Sequence, residues 1–333
     1  MPRVSVVTPC FNAERYLTQT VQSVCRQTLA DWQLVVVDDA STDGSSSIAD
    51  RLAASDRRVS AVHLEHNAGV AAARRIGAEL ATGEYLLFLD ADDVLEPTML
   101  EQTVSELDRR PGLAAVYTGH GYIGPDGEDL GPERGHWPWA RCVATRFWVR
   151  SLPDTEPATP FESIFGVAAM LPSLTVMRRS AYQATPGWDV SLGQGCEDTD
   201  LFLQLALRGP VYHLPERLVR YRRHPDQASQ RHDLAGQYQK LFAKWLSRGD
   251  LDPAQQQLVR DAEWFRTGRL VPSLNLQSAL EHVRRGDLPR AARLLATAVS
   301  AYSPRCPPPT LYGRGTSADA AAAGLGPISS STR

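Results

Sequence analysis

Carboxylates gather at three places along this sequence. In LLFLDADDVL, residues 86–95, an apolar run ends in Asp90, Asp92 and Asp93. Asp38 and Asp39 end a second apolar run, QLVVVDD, and Glu197, Asp198 and Asp200 open the amphipathic stretch EDTDLFLQLALRG. Like charges this close oppose one another's ionisation. Carboxylates spaced D-x-D offer hard oxygen ligands to Mg2+ or Mn2+, and such an ion also binds substrate phosphates. A carboxylate at a helix N-terminus is favoured in its ionised form, and in that form it can act as a general base. His224, in YRRHPDQAS, is of a type that completes a metal site begun by carboxylates. No G-x-x-x-x-G-K-[ST] loop is present, and no G-x-G-x-x-G follows the first strand. A diphosphate would then fall to a metal and to basic side chains, for which Arg74 and Arg75 are candidates. Each feature also has a plainer reading. Asp after a strand turns the chain or caps a helix, a helical Arg pair is a solvated face, and a lone His is structural. Recurrence of the acids at equivalent strand ends favours a common crevice.

The elements that would position these residues follow from hydrophobic periodicity. A β-branched run at 4–8 predicts a buried strand, and Ala13, Leu17, Val21, Val24 and Thr28 then recur at helical spacing. QLVVVDD, VSAVHLE, EYLLFLD and LAAVYTG predict four more strands up to residue 118. Between them stand helical stretches: STDGSSSIADRLAAS, GVAAARRIGAELATG ending near Gly83, and PTMLEQTVSELDRR with Pro97 in its first turn. Such alternation predicts an α/β fold with a mostly parallel central sheet and helices on both faces. Ligands of an open parallel sheet bind beyond the carboxyl ends of its strands, where Asp39 and Asp90 fall.

The pattern weakens from about 119 to 160, a stretch carrying Trp137, Trp139, Phe147 and Trp148. These tryptophans suit stacking on the rings of a ligand, packing in a core or forming a hinge. SLTVMRR then reads as a strand, and RLVRYRRHP as another running into His224. The expected division is a main domain over 1–230, with halves at 1–118 and 119–230. A helical appendage over 231–302 and a disordered tail over 303–333 follow. The last helical pair resembles one helical-hairpin repeat, too few to stack into a solenoid.

Composition narrows the class. The 333 residues are 43% apolar and 22% charged, with a formal net charge of -3, which argues against a nucleic-acid binder. Five scattered cysteines form no C-x-x-C pair, so neither a zinc site nor a disulfide framework is expected and a reducing compartment fits. No run approaches the ~20 apolar residues of a membrane span, and the N-terminus has no signal-peptide h-region. A cytoplasmic protein is expected, and contact with the inner face of a membrane is compatible with these features.

Taken together, four blocks resemble the inverting family 2 glycosyltransferases of the GT-A fold. They are VSVVTPCFNAERYLTQTVQSVCRQTLADWQLVVVDDASTDGS, NAGVAAARRIGAELATGEYLLFLDADD, GWDVSLGQGCEDTDLFLQLALRG and YRRHP, over about residues 3–228. The resemblance implies a nucleoside-diphosphate sugar donor, typically UDP-linked, with 1–118 as the nucleotide-binding half and 119–230 as the acceptor-binding half. It places Thr8, Pro9 and Phe11 around the nucleotide, Asp39 on the base, Arg74 near the diphosphate and Asp90 facing ribose and metal. Asp92 and His224 match metal ligands, for Mn2+ or Mg2+, and Asp198 matches the catalytic base with Glu197 beside it. The chain departs from the pattern at Arg75, where the family usually has Asn, and at Thr185-Pro186 before Gly187.

The implied reaction is attack by an acceptor hydroxyl of a glycan, lipid-linked intermediate or small metabolite on the anomeric carbon, opposite the diphosphate. Two rivals remain at this stage. LLFLDADDV also fits the nucleophile motif of haloacid-dehalogenase-like phosphatases, with Asp90 phosphorylated and Asp92 as acid/base. Against it, three strand–helix units precede the motif, and the chain's lysines occur only at 240 and 244. The second rival is a non-catalytic sugar-nucleotide or glycan binder on the same fold, against which stand three intact acidic clusters.

Overall fold

A computed structural model describes residues 1–132, 170–193, 195–224, 227, 234–265, 267–268, 271–284 and 286–301. The first half alternates as the periodicity predicts: β1 (Val4–Cys10), α1 (Leu17–Cys25), β2 (Trp32–Asp38), α2 (Ser45–Ser55), β3 (Val59–His63), α3 (Val70–Leu80) and β4 (Tyr85–Phe88). Short β5 (Val94–Leu95), α4 (Met99–Arg109), β6 (Ala115–Ile123) and β7 (Asp129–Pro132) follow. Beyond residue 170 come β8 (Thr175–Arg178), α5 (Arg179–Gln183), α6 (Glu197–Ala206) and β9 (Val211–Arg222). Four helices complete the described chain: α7 (Leu234–Leu246), α8 (Pro253–Phe265), α9 (Val271–Arg284) and α10 (Leu288–Ala301).

Among the described residues nine strands form one sheet, in the order β3-β2-β1-β4-β8-β6-β9-β5, with β7 on β6. β3, β2, β1 and β4 are parallel, so Asp38, Asp39 and Asp90 leave the sheet from one edge. β8 enters antiparallel between β4 and β6, pairing Leu87 with Val176 on one side and Val116 with Val176 on the other. β6, read from LAAVYTG, is therefore separated from β4 by β8. Local periodicity carries no information about which strand fills that gap.

Both faces are covered. α1, α2 and α4 lie over the face presenting Val4, Val6, Leu34, Val36 and Leu87, while α3 covers Val35 and Val37 through Ala73. β1 is buried at every position, as a strand covered on both faces must be. Three expected helix limits shift by a few residues. α1 begins at Leu17 rather than near Ala13, α3 ends at Leu80, and Pro97 precedes the Thr98 N-cap of α4 instead of lying in its first turn. Such ends are set by capping geometry more than by the apolar repeat.

Gly77 explains how closely α3 approaches the sheet. A Cβ there would lie 2.2 Å from Val7 Cγ1 and 3.2 Å from Val37 Cγ2. Gly inside a helix costs up to ~1 kcal/mol relative to Ala, so the residue is there for the contact. Gly77→Ala is expected to lower stability by about 1–3 kcal/mol, as overpacking does, despite its better helix propensity. Urea unfolding of the two proteins measures the difference. α3 carries Arg74 three residues earlier, so this close approach also fixes the reach of that side chain.

The boundary expected at 231 falls later. Residues as far as Val259 cluster with the sheet, and the described residues from Arg260 onward belong to a second unit. α7 packs into the first unit because Leu241, Phe242 and Trp245 on it are fully buried. Within the second unit α9 and α10 form a hairpin, with Ala279, Ala291 and Ala298 buried. Trp137, Trp139, Phe147, Trp148 and the expected 303–333 tail lie outside the described residues.

Candidate active site

The two aspartates that end β2 have different surroundings. Asp38 accepts hydrogen bonds from the Ser41 amide at 3.2 Å, from the Ser46 hydroxyl and from His63 Nδ1 at 3.1 Å. It thus ties β2 to α2 and β3. Asp39 turns the other way: Oδ1 accepts the Ala68 N–H at 2.7 Å and Oδ2 the Gly69 N–H at 2.8 Å. Gly69, at φ 88, is the residue before α3. Only glycine adopts that conformation without strain, so the Asp39 carboxylate anchors the entry to the helix bearing Arg74.

Around this end the β1–α1 loop is sewn to the β2–α2 loop. Asn12 Oδ1 accepts the Thr42 N–H at 2.8 Å, and Ser41 Oγ accepts the Asn12 N–H at 3.0 Å. Of the residues the resemblance places around a nucleotide, Phe11 is 49% exposed and presents its ring outward. Thr8 is wholly buried and Pro9 is buried beside it, so in this conformation Thr8 offers no surface to a ligand. Its place within β1, two residues before the strand ends, is the reason.

The turn after β4 separates its three carboxylates. Asp90 Oδ1 receives Arg74 Nη2 at 2.6 Å, and its backbone N–H bonds Ser173 Oγ at 3.1 Å. Asp92 points elsewhere: its Oδ2 lies 3.0 Å from His224 Nε2, across 132 residues of sequence. Asp93 is buried, and its Oδ1 accepts the Arg222 N–H at 3.0 Å. Burial and the charges of Asp92 and Asp90 push the Asp93 carboxyl well above the usual range. Burial likewise raises Asp90, opposed by Arg74. Asp93 thus does more than turn the corner expected of it, since it fastens the D-x-D turn to the strand that delivers His224.

Arg222 reinforces that fastening. Its guanidinium donates to the Asp92 carbonyl at 2.8 Å, the Gly124 carbonyl at 3.0 Å and Gln19 Oε1 at 2.5 Å. It lies over the Tyr16 ring, 4.8 Å from the centroid, and Tyr16 also packs on His224 at 4.9 Å. Sequence reading missed both Arg222 and Tyr16. The YRRH string showed two arginines but not which one turned inward.

Arg74 joins the turn after β4 to α6. Its second terminal nitrogen, Nη1, meets Glu197 Oε1 at 3.1 Å, so one buried guanidinium bridges Asp90 in the turn after β4 and Glu197 of α6. Trp188 lies beneath it, with the guanidinium 4.6 Å from its ring centroid, and meets Phe88 edge-on at 4.9 Å. Arg75, the other candidate, is outside on the solvated face with Glu79. Trp188 was visible in GWD but carried no signal of this contact.

Glu197 is held by Arg74 and by the Gly195 N–H on Oε2 at 2.6 Å. Asp198 differs. Its Oδ1 accepts the Thr199 N–H at 2.6 Å, while Oδ2 accepts no hydrogen bond among the described residues, and the side chain keeps partial access to solvent. Burial, then the Glu197 charge, raise Asp198 to about 6, against the pull of Arg74. The helix N-terminus was expected to favour the ionised form, yet desolvation is the larger effect here. A carboxylate with a pKa near working pH is better matched to accepting a proton than an ordinary one.

No group of three or more His, Cys, Asp or Glu side chains clusters for a metal among the described residues. Asp92 and His224 nevertheless fit two positions on a divalent ion. Cis ligands of an octahedral ion at ~2.1 Å stand about 3 Å apart, the separation these two atoms already have. One carboxylate oxygen and one imidazole would leave the remaining positions to water and substrate phosphate.

Comparison with known proteins accords with this geometry. Residues 5–184 match the model of glycosyl transferase family 2. The chain belongs to that family. EpsE of Bacillus subtilis, named as a glycosyltransferase, is 31% identical over 230 residues, covering 68% of this chain and 74% of EpsE. TuaG of the same organism, named for teichuronic acid biosynthesis, is 40% identical over 129 residues, or 39% of this chain and 51% of TuaG. The chain thus spans about half the length of TuaG, and 41% of GlyG of Streptococcus pneumoniae. The S. aureus TarS 1–349 structure with UDP-GlcNAc superposes with a TM-score of 0.61 at 16% identity, covering 92% of this chain and 93% of that one. A mannosyltransferase from Pyrobaculum calidifontis, in complex with GDP-Man and Mn2+, gives 0.56 at 21% identity, covering 97% and 79%. The fold is therefore GT-A-like, and the chain is a family 2 glycosyltransferase. Membership of that family sets aside the phosphatase reading of LLFLDADDV.

Proposed function

We propose that this glycosyltransferase is inverting and metal-dependent, moving a sugar from a UDP-linked donor to an acceptor hydroxyl. The observation that carries the proposal is the Asp90–Arg74–Glu197 bridge, which brings the D-x-D turn and the Asp198 helix to one guanidinium. Asp198 takes the proton of the acceptor hydroxyl through its open Oδ2 as that oxygen attacks the anomeric carbon. Glu197, with both oxygens engaged, holds Arg74 instead of accepting a proton itself. Arg74 keeps Asp90 in place beside the donor and offsets the charge gathered there. Asp92 and His224 would hold Mn2+ or Mg2+, which when bound stabilises the negative charge of the leaving nucleoside diphosphate. Phe11 and Asp39 serve the nucleotide, Phe11 by packing and Asp39 through the loop it anchors and its remaining lone pairs. One displacement inverts the anomeric centre, so an α-linked donor gives a β-linked product. Glycans, lipid-linked intermediates and small metabolites are the acceptor classes to try.

The test is a thermal-shift panel of UDP, GDP, UDP-GlcNAc and GDP-mannose, with and without Mn2+. Uridine compounds are expected to raise Tm most, and only with metal. A ligand at 100 Kd stabilises by about 2.7 kcal/mol, well within detection. Equal response with and without metal would reject the metal role, and a guanosine preference would reject the UDP assignment. Turnover to free nucleoside diphosphate separates an enzyme from a binder.

A further inference from the structure

α7 lies beyond both the family match and the four resembling blocks, yet two of its side chains reach the helix that carries Asp198. Asp200 is fully buried in the first turn of α6. Its Oδ1 accepts the Trp245 Nε1–H at 2.8 Å. Its Oδ2 accepts Lys244 Nζ at 2.8 Å and Gln204 Nε2 at 2.6 Å. Lys244 Nζ also reaches Asp189 Oδ2 at 2.6 Å. Asp189 follows Trp188, the residue under Arg74. Burial alone would raise the Asp189 carboxyl, but the Lys244 and Ser191 hydrogen bonds outweigh it and hold it at about 2. One ammonium therefore pins both the segment beneath Arg74 and the helix of the base.

The residue type fits the task. The sequence holds 35 basic residues, all arginine apart from Lys240 and Lys244. A compact ammonium with three divergent donors can meet carboxylates from two elements at one point.

The consequence for Asp198 is rotational. Successive helical residues are ~100° apart around the axis. Glu197 and Asp200 therefore project within about 60° of each other, and Asp198 lies roughly 100° away from Glu197 on the far side. Arg74 fixes Glu197 and the Lys244–Trp245 pair fixes Asp200. These two anchors add to the burial of Leu201, Phe202, Leu203 and Leu205 in resisting rotation of α6 about its axis, and Asp198 keeps partial access to solvent with no ion pair among the described residues. We propose that Lys244 and Trp245 are positioning residues that set the rotation of α6 and so aim the Asp198 carboxylate. This rests on Asp198 being the base.

The test uses the full chain with Mn2+ and whichever of UDP-GlcNAc and GDP-mannose it turns over, reading nucleoside-diphosphate release with water as acceptor. Lys244→Met, Trp245→Phe and Asp198→Asn are compared with wild type across pH. Misplacing a catalytic group by about 1 Å costs on the order of 10²-fold. Lys244→Met is expected to lower kcat about 10- to 100-fold, with donor KM within about twofold. Its acid limb moves to higher pH, because Asp189 and Asp200 lose their counter-ion. Trp245→Phe keeps an apolar aromatic ring while removing the indole N–H, guards against a folding failure of Lys244→Met, and is expected to lower kcat with KM unchanged. Wild-type kcat and an unmoved limb in both variants, while Asp198→Asn is inactive, would overturn the positioning role and leave the base intact. Losses in kcat that only track a fall in Tm, with the limb unmoved, would overturn it too. Wild-type turnover in Asp198→Asn would instead remove the base assignment on which the inference stands.

Discussion

Asp198→Asn is expected to abolish most sugar transfer while leaving the protein folded and able to bind its donor. General-base catalysis contributes typically ~10²–10⁴-fold, and kcat should fall by about that factor with donor KM little changed. The amide keeps the side-chain shape and the Thr199 contact through its oxygen. Stability gives an independent check. The folded-state pKa of Asp198, about 6, lies above the ordinary carboxylate value. The native state therefore holds that proton more tightly than the unfolded chain, and stability is lost as pH rises through the interval between the two values. Asn has no proton to lose, so the variant should melt at or above the wild-type temperature at pH 7.5–8. In wild type the base must be ionised, so kcat should decline below a limb near pH 6. Calorimetry with a pH–rate profile measures both. A variant with wild-type turnover would show that Asp198 is not the base.

Arg74→Met is expected to cause the largest loss of stability among single changes at the site. The guanidinium lies between Asp90 and Glu197, with its own and the Glu197 side chain each 5% exposed. Removing one partner from a buried ion pair costs about 3–5 kcal/mol, because a charge is left uncompensated. Three carboxylates, Asp90, Glu197 and Asp198, would then face one another without the cation whose field acts on all three. Protonation relieves that repulsion, so the variant should recover part of its stability as pH falls toward 5, opposite to ordinary acid denaturation. Pairing Arg74→Met with Glu197→Gln should restore part of the loss by removing one charge, whereas activity stays low because Asp90 has lost its anchor. Urea unfolding at two pH values separates these effects. A Cm for Arg74→Met equal to wild type at pH 8 would show that the bridge is not maintained in solution.

Much of the fold was legible because its rules are local. The alternation of strands such as QLVVVDD with amphipathic helices follows from side-chain periodicity alone, and so does the placing of Asp39 and Asp90 at strand ends. The place of β8 was not legible, because antiparallel insertion between β4 and β6 depends on pairings between residues some 60 to 90 apart. The site divides in the same way. Asp92 and His224 were singled out by type and by resemblance, and the fold brings them to 3.0 Å. Thr8 was singled out too, yet it is buried within β1, since a string cannot say where along a strand the surface begins.

By itself the sequence determined the family, the α/β order and which acids stand at strand and helix ends, because motif and periodicity are written in neighbouring residues. Only the tertiary structure decided what each charge does. It turned Arg74 inward and Arg75 outward, gave Glu197 to Arg74 and left Asp198 partly exposed, and joined Lys244 and Trp245 to Asp200 of the same helix. Those outcomes depend on desolvation and on partners far away in the chain. A carboxylate's reactivity is a property of its surroundings, and the surroundings exist only once the chain has folded.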